Sequence, residues 1–437
     1  MKNYRLALYL GLAMASPMAI AQKKDKDTVK VNKDKTDKAE TSSSKKTKKI
    51  EDLIKKGTYK KGLFNTIQVK TDIYFEIPDS LMGRQFLVVN KLSQVPMQVN
   101  EAGLNKGMNY ENKVISFYKD TIAKKVWVKS YVPKVSSPKE DAITQSVQNN
   151  FAESIIEVFD IETKNNDSTA VVIKVNKIFD GKQKSFNDVL SNIGLSSSVK
   201  SDLSYIEGLK SFPKNIVVKS QITTSLSDGG PSVPITLGVT SNIILLDKTP
   251  MKPRFSDNRI GYFTEKHWYF ADAQQAMLEK ELITRWRLEP KKEDEERYMK
   301  GELVEPKKPI VYYIDPSTPK QWRKYIIDGV HDWQVAFEKA GWKNAIQGKE
   351  WPNDSTMSLE DARFSVIRYF ASDIQNAYGP NVHDPRTGEI MESHIGWYHN
   401  IMSLLRDWYL IQTAAVDPAA RNKKFDDKLM GELIRFV

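Results

Sequence analysis

The chain has 437 residues, 40% of them hydrophobic, with 66 Lys and Arg against 55 Asp and Glu and no cysteine. Such a length implies two or three domains, each able to bury an ordinary core. The lack of cysteine excludes disulfides, a thiol nucleophile, thiolate metal sites and a lipidated N-terminal cysteine. The net charge of +11 is unevenly spread: +2 falls in residues 1–21, +6 in residues 22–49 and only +3 in residues 50–437. No basic patch interleaved with aromatics follows the charged stretch, which argues against nucleic acid as a partner.

Residues 1–21 read as a secretory signal. Lys2 and Arg5 form a basic head, Leu6 to Ala15 an apolar core, and Ala19-Ile-Ala21 a small-residue cleavage site. The uncharged stretch from Leu6 to Gln22 falls short of the roughly 20 apolar residues a spanning helix needs. No later segment reads as a span, so the expected address is periplasmic, envelope-associated or extracellular. Residues 22–49, with 11 Lys and 5 acidic residues, read as a disordered spacer.

From residue 50 the pattern turns to strands. Thr66 to Ile77 and Phe86 to Lys91 suggest a small β-containing module over 50–105. A β-rich mixed module over 106–250 follows, with strands at Val126 to Val132, Ser154 to Ile161, Thr169 to Val175, Asn215 to Thr224 and Ile235 to Leu246. Asn165-Asn-Asp and Ser227-Asp-Gly-Gly read as hairpin turns, and Phe186 to Ile193 as a short helix. No repeat of fixed period occurs, which argues against a solenoid or propeller.

Residues 251–308 read as linker and lead-in, with a helix candidate at Ala271 to Glu281. Pro309 to Ile314 is a strand, followed by Thr318 as N-cap with Pro319 at the first helical position. The helix carries Trp322, Ile326, Val330, Trp333, Phe337 and Ala340 at spacings of 3 and 4, and Gly341 closes it. Strands at Ala362 to Ala371 and Glu389 to Trp397 precede a helix at Asn400 to Thr413. A last helix begins near Phe425 with apolar residues at helical spacing, and neither Gly, Asn nor Pro marks its end. The sequence is therefore expected to be cut short inside that helix, leaving an exposed apolar face prone to aggregation.

Three of the five histidines, His383, His394 and His399, lie within 17 residues. His394 and His399 are five apart, which on a helix turns them about 140° from each other and on a strand puts them on opposite faces. They are read as hydrogen-bonded structural residues, and His331 and His267 as packing residues. The chain lacks a Gly-x-Ser-x-Gly elbow, a phosphate-binding Gly-x-x-x-x-Gly-Lys loop and a Gly-x-Gly-x-x-Gly turn. The carboxylate pairs Asp426/Asp427 and Glu279/Glu281 read as helix-surface charges rather than a glycosidase pair. No catalytic or metal-binding residue is assignable from the residues themselves.

A set of longer motifs carries more. Pro309-Ile-Val-Tyr-Tyr-Ile-Asp315, Ala336-Phe-Glu-Lys-Ala-Gly-Trp342, Ala362-Arg-Phe-Ser-Val-Ile-Arg-Tyr369 and Asp384-Pro-Arg-Thr-Gly-Glu-Ile390 occur in order. Arg254 to Phe263 and Arg285 to Pro290 precede them. Together they resemble secreted bacterial zinc-dependent metalloproteases of metzincin type that carry two poorly characterised N-terminal domains. The resemblance implies an α+β chain, with β-rich N-terminal modules followed by the N-terminal part of a mixed-sheet and helix catalytic domain at 309–437. It also implies a zinc-activated water that hydrolyses peptide bonds in a protein or peptide substrate, the zinc held by a His-Glu-x-x-His-x-x-Gly-x-x-His motif beyond Val437. The chain as given is then expected to bind no zinc and to cleave nothing alone. Gly388, Glu389, Ile390 and Met391 are implied to open an edge strand, running to Trp397, that pairs with substrate backbone; an ordinary sheet edge accounts for them equally. Two rivals remain: a non-catalytic envelope protein that binds a peptide, protein or glycan, and a pro-region at 50–250 that covers the cleft.

Overall fold

The computed structural model describes residues 49–195, 198–227, 231–354 and 357–437. The predicted signal peptide, all but the last residue of the Lys-rich spacer and most of the Ser227-Asp-Gly-Gly turn lie outside the described residues. The α+β, strand-rich architecture expected from the sequence is present.

After a short helix α1 (Ile50–Lys56), eleven strands form one antiparallel sheet: β1 (Thr58–Lys60), β2 (Asn65–Val69), β3 (Asp72–Pro78), β4 (Gln85–Gln94), β5 (Asn109–Asp120), β6 (Lys125–Tyr131), β7 (Ser154–Lys164), β8 (Ala170–Lys174), β9 (Tyr205–Ser211), β10 (Asn215–Leu226) and β11 (Val233–Leu245). Their spatial order is 1-2-3-8-7-6-5-4-11-10-9. The sheet curls until its ends approach. Ser211 Oγ donates to the Phe64 carbonyl at 2.8 Å, and the Leu63 amide to the Phe212 carbonyl at 2.8 Å. The predicted boundary near residue 105 crosses this sheet, because β4 lies between β5 and β11. The predicted strand Thr66 to Ile77 is a hairpin, turning where Lys70 adopts a φ of 55°. No Gly or Asn marks that turn.

Alternation along the strands sorts the side chains into layers. Ile73, Phe75 and Ile77 of β3 point inward with Phe64, Phe86 and Phe117, whose rings meet edge to face at 5.3–5.7 Å. Tyr74 faces out onto Ile50 and Leu53 of α1. On β4, Phe86 and Val88 point into the curled sheet, whereas Leu87 and Val89 point out against Ala362 and Val382 of the C-terminal part. The same strand thus serves two cores.

Residues 251–308 hold β12 (Thr264–Tyr269), β13 (Leu278–Ile283) and β14 (Arg285–Trp286). The helix expected at Ala271 to Glu281 is absent, and its second half forms β13. The local composition favours helix, but antiparallel pairing with β12 wins, aided by Lys266 reaching Glu279 at 2.6 Å and Glu281 at 3.7 Å across the hairpin.

The C-terminal part is built on β15 (Ile310–Ile314), β16 (Ile346–Glu350), β17 (Ser365–Phe370), β18 (Ala377–Tyr378) and β21 (His394–Tyr398), in the order β16-β15-β17-β21-β18. All pair in parallel except β18, which runs antiparallel to β21 at one edge. Between them in sequence, β19 (Val382–Asp384) and β20 (Glu389–Glu392) join β14 in a small three-stranded sheet. Helices α2 (Lys320–Asp332), α4 (Ile401–Thr413) and α5 (Asp427–Phe436) cover one face through Trp322, Ile326, Leu405 and Ile434, which pack on Ile314, Ile367 and Trp397. The helix expected to run unbroken to Ala340 breaks at Trp333 and resumes as α3 (Gln334–Lys339). It starts one residue later than expected, with Pro319 rather than Thr318 as its N-cap. Gly341, with φ at 92°, closes it as anticipated. The opposite sheet face, carrying Arg368, Phe370 and His394, turns to the curled sheet. No helix among the described residues is long and apolar enough to cross a membrane.

Candidate functional site

The segment expected to grip substrate begins in a tight turn. The amides of Thr387 and Gly388 donate to the Asp384 carbonyl at 3.1 and 2.8 Å. Asp384 holds Arg386 in a bidentate pair, and the same guanidinium reaches the Gln85 side chain at 2.9 Å and the Asp247 carbonyl at 3.1 Å. The turn is thereby pinned to the ends of β4 and β11. Gly388 has a φ of 74°, and a Cβ there would stand 2.3 Å from the Ile283 carbonyl oxygen. Both the backbone conformation and the close approach require glycine.

Beyond the turn the expected free edge is absent. Glu389 and Ile390 pair with Arg285 and Trp286 of β14 on one side and with Asp384 and His383 of β19 on the other. Met391 is the extra residue of a bulge, and its side chain packs against the apolar cluster that includes Leu87 and Val89. Farther on, β21 lies between β17 and β18. β20 and β21 are therefore interior strands of two sheets, and the five-stranded sheet has its edges at β18 and β16. The reason lies far away in sequence: the strand that covers β20 comes about 100 residues earlier, and no local pattern announces it.

The side chains of this region still face open space. Glu389 and Ile390 line a groove of about 560 Å³ with Trp286, Arg287, Asp247 and Lys308. Burial pushes the Glu389 carboxyl up despite the nearby Arg287, and burial also pushes Lys308 down. A second, apolar cleft of about 840 Å³ runs between the helices and the sheet, walled by Tyr312, Val330, Trp333, Ile395, Trp397 and Phe436. Its lining is mainly aromatic and aliphatic, with Asp332, Lys339 and Arg435 among it, a composition suited to apolar side chains.

The histidines do not converge. His383 bonds Asn381 and Glu265 at 2.8 Å each, and His267 bonds the Pro385 carbonyl at 2.8 Å. His331 accepts from the Gly348 amide at 3.1 Å, and His399 meets the Tyr369 hydroxyl at 2.8 Å. His394 differs: its Nε2 is buried with no hydrogen-bond partner, 3.5 Å from Glu392. Asp426 caps α5 by accepting from the Leu429 amide at 2.8 Å. Among the described residues no three His, Cys, Asp or Glu side chains are grouped to hold a metal ion.

Comparison with known families places two matches, both in the N-terminal two thirds. Residues 47–95 match a family described as a domain of unknown function, DUF5118, and residues 107–291 match another, DUF5117. Neither description names a peptidase. No curated protein and no solved structure matches the chain.

Proposed function

We propose that residues 309–437 supply scaffold for a zinc-dependent metalloendopeptidase of metzincin type, with residues 47–291 as its N-terminal modules. The observation that carries this reading is the mixed five-stranded sheet with helices α2 and α5 on one face and one antiparallel strand, β18, at its edge. An extended peptide adds to such an edge by main-chain hydrogen bonds, which grip any sequence alike. The apolar cleft beside it would then receive side chains. Zinc is not provided for by the described residues, so no catalytic step is assigned to any of them, and this polypeptide alone is expected to be inactive.

The test is made on the protein as its source produces it, with the gene read past the Val437 codon. An in-frame His-Glu-x-x-His-x-x-Gly-x-x-His, one zinc per chain and chelator-sensitive cleavage of an unfolded protein substrate are expected. A stop codon directly after Val437, with no zinc and no cleavage, would overturn the reading. The rival of a non-catalytic envelope protein would then stand, with the aromatic cleft as its binding surface.

A further inference from the structure

Where the curled sheet meets the C-terminal sheet lies a half-open cavity of about 110 Å³. It lies on the face opposite the helices and outside both grooves described above. Its walls carry four cations: Lys91 from β4, Lys106 from the loop before β5, Lys219 from β10 and Arg368 from β17. Three have carboxylate partners: Lys91 meets Glu392 at 3.1 Å, Lys219 meets Glu360 at 3.3 Å and Arg368 meets Asp315 at 2.9 Å. Lys106 has no ion-pair partner among the described residues. Its ammonium stands 5.6 Å from the centre of the Phe370 ring. Lys106 is an exposed residue; lost hydration at its ammonium, with Arg368 and Lys219 nearby, pushes its pKa down against the opposing pull of Asp315 and Glu360.

The cavity also holds an unmet acceptor. Burial and Lys91 keep His394 neutral, with a pKa lowered to about 4. Its Nε2 has no hydrogen-bond partner and stands 3.5 Å from the Glu392 carboxylate; with the ring's proton on Nδ1 it presents a lone pair. A buried acceptor without a donor costs on the order of 1–3 kcal/mol, so a group that supplies one has a ready place.

We propose that this cavity binds a small oxyanion, its ionised oxygens on Lys106 and Arg368 and, where it carries an O–H, that proton donated to His394 Nε2. A phosphate group has both features at neutral pH, whereas a carboxylate offers only the first. Because the cations come from the curled sheet and the C-terminal sheet alike, the anion bridges the two. The site does not depend on the peptidase reading.

Calorimetric titration of the purified chain at pH 7 with inorganic phosphate, acetate and chloride at matched ionic strength tests this. Saturable phosphate binding is expected, weakened at least tenfold in Lys106→Gln and also weakened in His394→Gln. Acetate binding that exceeds phosphate and is lost in Lys106→Gln would assign the site to carboxylates. Lys106 is a loop residue, and an unchanged melting temperature of Lys106→Gln without anion certifies its fold. No saturable binding of either oxyanion, an equal response to chloride, or undiminished binding in Lys106→Gln would overturn the proposal.

Discussion

His394 and Glu392 meet in the buried seam with only 10% and 1% of their side chains exposed. Burial alone would push the Glu392 carboxyl up, but Lys91, His394 and Arg368 outweigh it and hold it low. His394 is held down to about 4 by burial and by Lys91. Its folded pKa thus lies below the ordinary value, and between about pH 6.5 and 4 the unfolded chain binds the extra proton. Stability from this residue is full above that window and is lost as the pH falls through it. Denaturant titrations at pH 7.5 and 5 should show a loss for the parent that is smaller in His394→Gln. Lys91→Met tests the other partner. It leaves a buried carboxylate without its cation, and the loss should be about 3–5 kcal/mol. The double variant with Glu392→Leu should recover much of it, and a cost no larger than that of an exposed lysine would show that the pair is not buried in solution.

At the scale of elements, α2 and α5 cross where each has a glycine. A Cβ on Gly329 would stand 2.5 Å from the Arg435 carbonyl oxygen, and one on Gly431 would stand 2.2 Å from the Tyr325 ring. A tyrosine ring can swing, whereas a carbonyl moves only with its helix. Gly329→Ala should therefore destabilise by roughly 1–3 kcal/mol despite alanine's better helix propensity, and a thermal melt at or above the parent's would refute the close crossing. The two helices were legible because their apolar residues recur at spacings of 3 and 4. The strands at 310–314 and 365–370 were legible from their β-branched and aromatic residues. The hairpin at Lys70 was not, since its turn uses no glycine, and β13 was not, since helix-favouring residues were overruled by a strand partner. The free sheet edge expected at Gly388 to Trp397 was misplaced for the same kind of reason: which strand is an edge depends on partners, and Arg285 and Trp286 lie too far away in sequence to be seen. Of the seam cavity, the sequence offered only His394 in a cluster of histidines; Lys106 and Arg368 are 262 residues apart and nothing local relates them.

At the scale of the molecule, the C-terminal sheet is a middle layer, with helices on one side and the curled sheet on the other. The contact with the curled sheet is charged as well as apolar. Glu360 shows the charge at work: burial disfavours its ionisation, yet Lys219, the Ser358 hydroxyl, Lys210 and Arg368 bring its pKa down to about 2. That contact joins residues 85–94 and 210–246 to residues 358–394. Unfolding followed by tryptophan fluorescence and by far-ultraviolet circular dichroism should give coincident transitions, and two separated transitions would mean that the layers are independent.

The strand order of the curled sheet has a kinetic side. β3 waits for β8, nearly a hundred residues later, and β4 waits for β11, about 150 residues later. High contact order of this kind slows folding, because distant segments must meet before their pairing is rewarded. The first matched stretch, residues 47–95, consequently lacks the second neighbour of β3 and both neighbours of β4. Made as a separate peptide of residues 47–105 it should stay unfolded by circular dichroism, while a chain reaching residue 250 should not. For a newly made chain, a completed N-terminal sheet is a late event: nearly 250 residues must be present before its fourth strand finds its second neighbour.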